Sequence, residues 1–295
     1  MLDDFTERRI ATSGAEISLV TGGSGPPLLL LHGFPQSRAM WHRVAPALAR
    51  DYTIVAPDLR GYGRSAKPAG DAAHRTYAKR AMALDQVEVM RALGFERFLV
   101  AGHDRGARVA HRMALDHPER VERLALIDIV PTLEVFARID QAVATAYYHW
   151  FFLIQPNGMP EHLIGLDPEF FLRRTLVSWG TGDSAVFSEA AVAEFLRAMR
   201  DPATVHAMCE DYRAAASSDL DDDRADRAAG RTVACPTLVL WGEHSVMGRH
   251  TDDVPGIWRG YAPDLTAECL PGGHFLPEEA PEATVRALAE FFARP

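Results

Sequence analysis

The sequence predicts an α/β fold: a mostly parallel sheet with helices on its faces and a helical cap inserted into it. Two observations carry this reading. Short, unbroken apolar runs alternate with helix-spaced segments up to about residue 131, and the pattern resumes after residue 236. Between those blocks, residues 132 to about 230 show helical spacing and no clear buried strand. The 295 residues therefore divide into a first core segment (1–131), a cap (132–230) and a second core segment (231–295).

The elements follow in order. Residues 1 to about 22 suit a short hairpin. PPLLLLHGFP (26–35) is a continuous apolar run closed by Gly33 and Pro35, which fits a strand buried on both faces. YTIVAPDLRG (52–61), RFLVAGH (97–103), VERLALIDIV (121–130) and PTLVLWGE (236–243) repeat the pattern. Helical spacing is clearest over 74–93, where Ala78, Met82, Asp85, Val89 and Leu93 recur every three or four residues before Gly94, a natural C-cap. In the cap, AAVAEFLRAMRD (190–201) and TVHAMCEDYRAAA (204–216) read as helices. DLDDDRADRAAG (219–230) reads as a solvated return linker. PEATVRALAEFFARP closes the core as a last helix.

Composition narrows the partners. The net charge of -9 and the absence of a Lys/Arg block argue against nucleic acid. Cys209, Cys235 and Cys269 are too widely spaced for a metal motif or a disulfide framework. The start MLDDFTERRI is unlike a signal peptide, and no stretch is apolar enough to span a bilayer, so a cytoplasmic location away from membranes is expected. His32, His103 and His111 lack metal-site spacing such as HExxH; no metal and no organic cofactor is expected.

In parallel sheets, ligands bind at the carboxyl ends of the strands. That end holds His32-Gly33, Asp58, Asp104, Asp128, Glu243 and His274. Gly102 and Gly106 bracket His103-Asp104-Arg105, which permits a sharp strand-to-helix turn that projects Asp104. Read locally, Asp104 could simply cap the helix, but a capping aspartate does not require glycine on both sides. As a nucleophile, a carboxylate attacking an ester would form an anhydride. Attacking a saturated carbon with a leaving group, it forms an alkyl ester that water can cleave. The second step needs a base, and His274 in CLPGGHFLPEEAP suits it. Its orienting acid is Asp128 in preference to Glu243, because Ser245 stands where a downstream aspartate would be sought. The backbone amides of Phe34 and Arg105 are placed to hold the oxyanion. Arg105 and Arg108, three apart on the following helix, are candidates to clamp a substrate carboxylate, with surface pairing to acids as the plain alternative.

HGFP, GHDRG and GGH together resemble the α/β-hydrolase superfamily over nearly the whole chain. HDRGARVAHR (103–112), with both arginines, resembles the haloacetate dehalogenase family, which includes fluoroacetate dehalogenases. The resemblance implies an α/β-hydrolase fold with an eight-stranded, mostly parallel sheet and a helical cap. It assigns Asp104, His274 and Asp128 to catalysis, Arg105 and Arg108 to the substrate carboxylate, and His149, Trp150 and Tyr212 to the departing halide. It further implies a small anionic halo acid as substrate, hydrolysed to glycolate and halide, and a cytoplasmic homodimer. The runner-up is epoxide hydrolysis by the same Asp-His-Asp machinery, with Tyr147, Tyr148 or Tyr212 as acid. A non-catalytic lidded binding protein is the third reading.

Overall fold

The computed structural model describes residues 2–294. Leu28 to Leu31 are fully buried, as the unbroken apolar run requires, and lie in a central strand. The strands are β1 (Thr6–Ala11), β2 (Glu16–Gly23), β3 (Pro27–Leu31), β4 (Thr53–Pro57), β5 (Phe98–His103), β6 (Val121–Ile127), β7 (Thr237–Gly242) and β8 (Leu265–Leu270). They form one eight-stranded sheet in the order β1-β2-β4-β3-β5-β6-β7-β8. The pairs β1/β2 and β2/β4 are antiparallel, and all others are parallel. This is the α/β fold with a mostly parallel sheet that the runs predict. The last strand, β8, lies at the edge and is only partly buried, which explains its lack of a continuous apolar signature.

Helices fill the stretch between β6 and β7, from Thr132–Ala137 through Ser218–Ala228, and form the cap. The acidic stretch 219–230 is not a linker. Its helix Ser218–Ala228 is held to the core by charge: Arg112 meets Asp223 and Asp226 at 2.8 and 2.5 Å, and Arg80 meets Asp222 at 2.7 Å. A polar composition read as solvated was paired instead, and Leu220 and Asp226 are buried. The helix expected over 74–93 begins only at Lys79, after a tight turn at Arg75–Tyr77 and an extended Ala78. The cap sets that start, because Asp219 Oδ1 accepts the Lys79 amide at 2.8 Å. Asp85, on the inward face of this helix, is buried with Arg60 at 2.6 Å and the Thr12 hydroxyl at 2.6 Å, fastening the first hairpin to the core. The three cysteines are free thiols. No helix among the described residues is long and apolar enough to cross a membrane.

Candidate active site

The strand β5 ends at His103, and the helix Arg105–Asp116 begins two residues later. Asp104 makes the whole turn, at φ 46° and ψ -116°, a conformation few non-glycine residues adopt. The turn packs too tightly for side chains beside it. A Cβ on Gly106 would lie 2.3 Å from the His32 carbonyl, and one on Gly33 would lie 2.5 Å from Asp104 Cβ. With no side chain there, the Phe34 amide reaches Asp104 and donates to Oδ2 at 2.9 Å. The Arg105 amide opens the helix, where no carbonyl of its own helix is available to accept it. Burial alone would raise the Asp104 pKa, but His274, Arg105, His103 and Arg108 together hold it below the usual carboxylate value. Asp104 is an ionised, desolvated carboxylate.

His274 lies 171 residues along the chain from His103, whose Nε2–H donates to the His274 carbonyl at 2.8 Å. Its own Nδ1–H donates to Asp128 Oδ2 at 2.6 Å. Asp128 is also at positive φ, 56°, and its Oδ1 accepts the Gly242 amide at 3.0 Å. Glu243, the competing acid from the sequence, is exposed. With Nδ1 committed to a carboxylate, Nε2 is the nitrogen left to act, and it is buried without a partner. Burial lowers the His274 pKa, but the Asp128 hydrogen bond and charge, then the Asp104 charge, outweigh it and leave the pKa raised.

Arg105 and Arg108 are both buried at the start of the elbow helix. They are not equivalent. Arg105 donates from Nε and Nη2 to the Asp211 carboxylate at 3.1 and 2.7 Å. Asp211 also accepts the Tyr62 hydroxyl at 2.7 Å and the Lys79 ammonium. The repulsion between the two guanidiniums is thus already offset on one side by Asp211, a buried form of the pairing to acids that the sequence leaves open as the alternative to the clamp. Arg108 donates from Nη1 to the Val130 carbonyl at 2.9 Å and the Thr132 hydroxyl at 3.0 Å. Among the described residues it has no carboxylate partner. Each guanidinium keeps a buried donor without a partner, Nη1 of Arg105 and Nε of Arg108.

The cap closes over this floor. His149, Trp150 and Tyr147 line a cavity with Asp104, Arg108 and His274. Its free volume is about 10 Å³, room for about one water molecule. Arg105 and Tyr212 stand behind the lining, with the guanidinium 4.2 Å from the Tyr212 ring centre. Arg108 sits 4.7 Å from the Trp150 ring centre. The Tyr212 hydroxyl and His149 Nδ1 have no partner. Burial pushes the Tyr212 phenol well above its ordinary pKa and His149 well below, so both are neutral. Tyr148 lies on the exposed side of its helix and away from the cavity. Among the described residues no cluster of three or more potential ligand side chains could hold a metal.

Two residues here escaped the sequence reading. Asp211 carried no signal beyond preceding Tyr212. Trp179, in the cap helix Pro168–Trp179, lines the cavity with its ring centre 3.9 Å from that of His149 and its indole N–H unpartnered. Nothing in its surrounding sequence marked it.

The alpha/beta hydrolase fold family matches residues 26–281. The chain is 47% identical to a fluoroacetate dehalogenase of Burkholderia sp, covering 99% of this chain and 95% of that protein. It is 34% identical to a soluble epoxide hydrolase of Corynebacterium sp. strain C12, covering 99% of both. Among solved structures, a Nostoc sp PCC 7120 protein assigned to the alpha/beta hydrolases superposes with a TM-score of 0.97 at 54% identity, covering 100% of both chains. Several further relatives carry the name epoxide hydrolase.

Asp211→Asn would leave the buried Arg105 and Lys79 without their shared carboxylate. It should lower stability by about 3–5 kcal/mol, measured by denaturant unfolding. A loss under about 1 kcal/mol would mean that the network does not hold Arg105 in place.

Proposed function

Because the chain belongs to the alpha/beta-hydrolase family, we propose that it hydrolyses a small 2-halo acid, haloacetate in the first instance, through an ester on Asp104. The observation that carries this reading is an unpartnered Arg108 donor lining one small cavity with an ionised Asp104, with the unpartnered Arg105 donor buried behind that lining. A neutral substrate has no use for those donors. A carboxylate accepts both and brings the adjacent carbon to the nucleophile.

In the first step an Asp104 oxygen forms a bond to the α-carbon. The carbon–halogen bond breaks, and its electron pair leaves on the halide. His149 and Trp150 line the cavity on the cap side and Tyr212 lies behind it, so that their N–H and O–H groups are the donors this reading assigns to the departing halide. Losing one well-placed donor costs about 3 kcal/mol of transition-state stabilisation. In the second step water adds to the Asp104 carboxyl carbon, and His274 Nε2 takes its proton. The resulting oxyanion faces the Phe34 and Arg105 amides. Collapse breaks the ester C–O bond, the departing alkoxide takes the proton held by His274 and leaves as glycolate, and the Asp104 carboxyl group loses its remaining proton to solvent.

A second reading, epoxide hydrolysis, rests on a specific observation too. The unpartnered Tyr212 hydroxyl and the cavity-lining Tyr147 are the acids that an opening epoxide needs, and several relatives bear that name. Purified protein separates the two. Halide release from fluoro- and chloroacetate, with little diol from styrene oxide, supports the first; the reverse pattern transfers the assignment to the second.

Three outcomes test the chemistry. Asp104→Asn should abolish turnover, and His274→Asn should accumulate a protein whose mass is increased at Asp104 by the alkyl group; unmodified His274→Asn after substrate exposure would exclude the covalent route. Arg108→Ala should lower kcat/KM for haloacetate by about 10- to 100-fold, the loss of a charge-assisted contact of about 1.5–3 kcal/mol. Equal activity would remove the clamp. The third concerns pH. His274 must be neutral to act as base, so ester hydrolysis rises with pH through its pKa. Esterification removes the Asp104 charge that helps to raise that pKa. The midpoint of single-turnover hydrolysis should therefore lie below the His274 titration of the free enzyme, followed by NMR. A midpoint above it would contradict the assigned base.

A further inference from the structure

Beneath the active site, Gln36 and Glu278 meet in a fully enclosed position, each 1% exposed. Gln36 lies two residues after Phe34, the oxyanion amide. Glu278 lies four residues after His274, the base. The Gln36 amide Nε2–H donates to Glu278 Oε2. The other two oxygens, Gln36 Oε1 and Glu278 Oε1, are both buried and both without a donor. Two buried acceptors left without a donor, on side chains already joined by one hydrogen bond, are a costly arrangement, since each oxygen lacks a bond it could have in water.

We propose that Glu278 is a protonated carboxylic acid in the working enzyme, and that with the Gln36 amide it forms a reciprocal two-bond pair tying the Phe34 turn to the His274 loop. One proton on Glu278 Oε1, donated to Gln36 Oε1, satisfies both orphans. The amide bond to Oε2 completes the ring. The charged surroundings agree. Arg43 donates to the Glu278 backbone carbonyl at 3.0 Å rather than to its carboxyl group. Arg38 on the same turn is engaged by Glu7 and Asp58, and His42 Nδ1 lies 3.1 Å from the Ala39 carbonyl. Glu279 is occupied by the Thr181 and Phe275 amides at 2.6 and 2.9 Å, and its negative charge disfavours a second one nearby. Burial pushes the Glu278 pKa from 4.5 up to about 8, with Arg43 and the Gln36 bond only partly opposing it.

Glu278 touches neither substrate nor reacting atoms, so its role is positioning. That half of the proposal rests on the Asp104 chemistry above. The protonation state does not, and its tests need no substrate.

The first measurement is infrared absorption of the native protein at pH 7, as a difference between wild type and Glu278→Gln. A neutral carboxyl C=O band in the wild type is expected, and a carboxylate pair in its place overturns the proposal. The second is unfolding against pH. The folded acid keeps its proton up to about pH 8, whereas the unfolded one loses it near 4.5. Between those values the folded state holds one proton more, so stability falls as pH rises. The unfolding constant of the wild type should climb about tenfold per pH unit more steeply than that of Glu278→Gln, whose second amide keeps both bonds without titrating. Parallel profiles overturn the assignment.

The positioning role has its own readout. Gln36→Leu should slow ester hydrolysis about tenfold or more relative to alkylation, because the Phe34 amide must hold an oxyanion in the second step and only the resting carboxylate before the first, and alkylated Asp104 accumulates. Glu278→Ala should do the same and Glu278→Gln should restore the balance. An unchanged ratio of the two steps overturns the positioning role and leaves the protonation result standing. If neither halide nor epoxide is turned over, the Asp104 reading fails while the infrared and unfolding results still decide the state of Glu278.

Discussion

The contact on which the rest depends is the approach of the chain at Gly33 to the side chain of Asp104. Parallel pairing of β3 with β5, in register from Leu28 opposite Leu99 to Leu31 opposite Gly102, delivers the two segments side by side. Past the last paired residues the strands part, and the space between them is too narrow for a methyl group. That narrowness brings the Phe34 amide onto Asp104 Oδ2 and holds the aspartate in its unfavourable backbone conformation. Such strain persists only where surrounding structure over-determines it. Here the sheet, the elbow helix and the Gly106 contact with the His32 carbonyl do so together.

Around that point the buried charges are sorted. Arg105, Lys79, Asp211 and Asp219 form one cluster, and His274 with Asp128 another. Among the described residues, Asp104 and Arg108 remain without an ion-pair partner in contact. Both line one small cavity. On the proposed reaction, a substrate carboxylate would meet Arg108 at the lining, with the spare Arg105 donor behind it, while its α-carbon faced Asp104. On that reaction the halide would carry away the negative charge of the nucleophile. The substrate carboxylate then balances Arg108. Arg105, neutralised by Asp211, serves as an oriented donor more than as a free charge, so the clamp is asymmetric.

Much of this was legible in the sequence, for physical reasons that differ by element. Strands buried on both faces leave unbroken apolar runs, so β3 to β7 could be read directly. The elbow was legible because a sharp turn needs small residues at 102 and 106, and the residue between them stands out. The polar stretch 219–230 misled because composition cannot tell solvated acids from acids paired with Arg112 and Arg80 across the fold. Asp211 and the Gln36–Glu278 pair were invisible for the same reason. Their partners lie 106 and 242 residues away in the chain, and nothing local requires them.

The size of the cavity bears on the order of events. With free space for about one water molecule, the closed cavity holds no bulk water at Asp104, and the proposed halo acid enters only after the cap opens. The carboxylate then attacks while desolvated, which favours a nucleophile whose charge is dispersed in the transition state. Water becomes useful only after the ester exists, and the halide's departure is what frees a volume of that scale beside His274. A roomier pocket would hydrate Asp104 from the start and blunt the first step. On the proposed reaction a tight cap would separate the two steps in time, and the cap helices would have to shift to let substrate in and halide out.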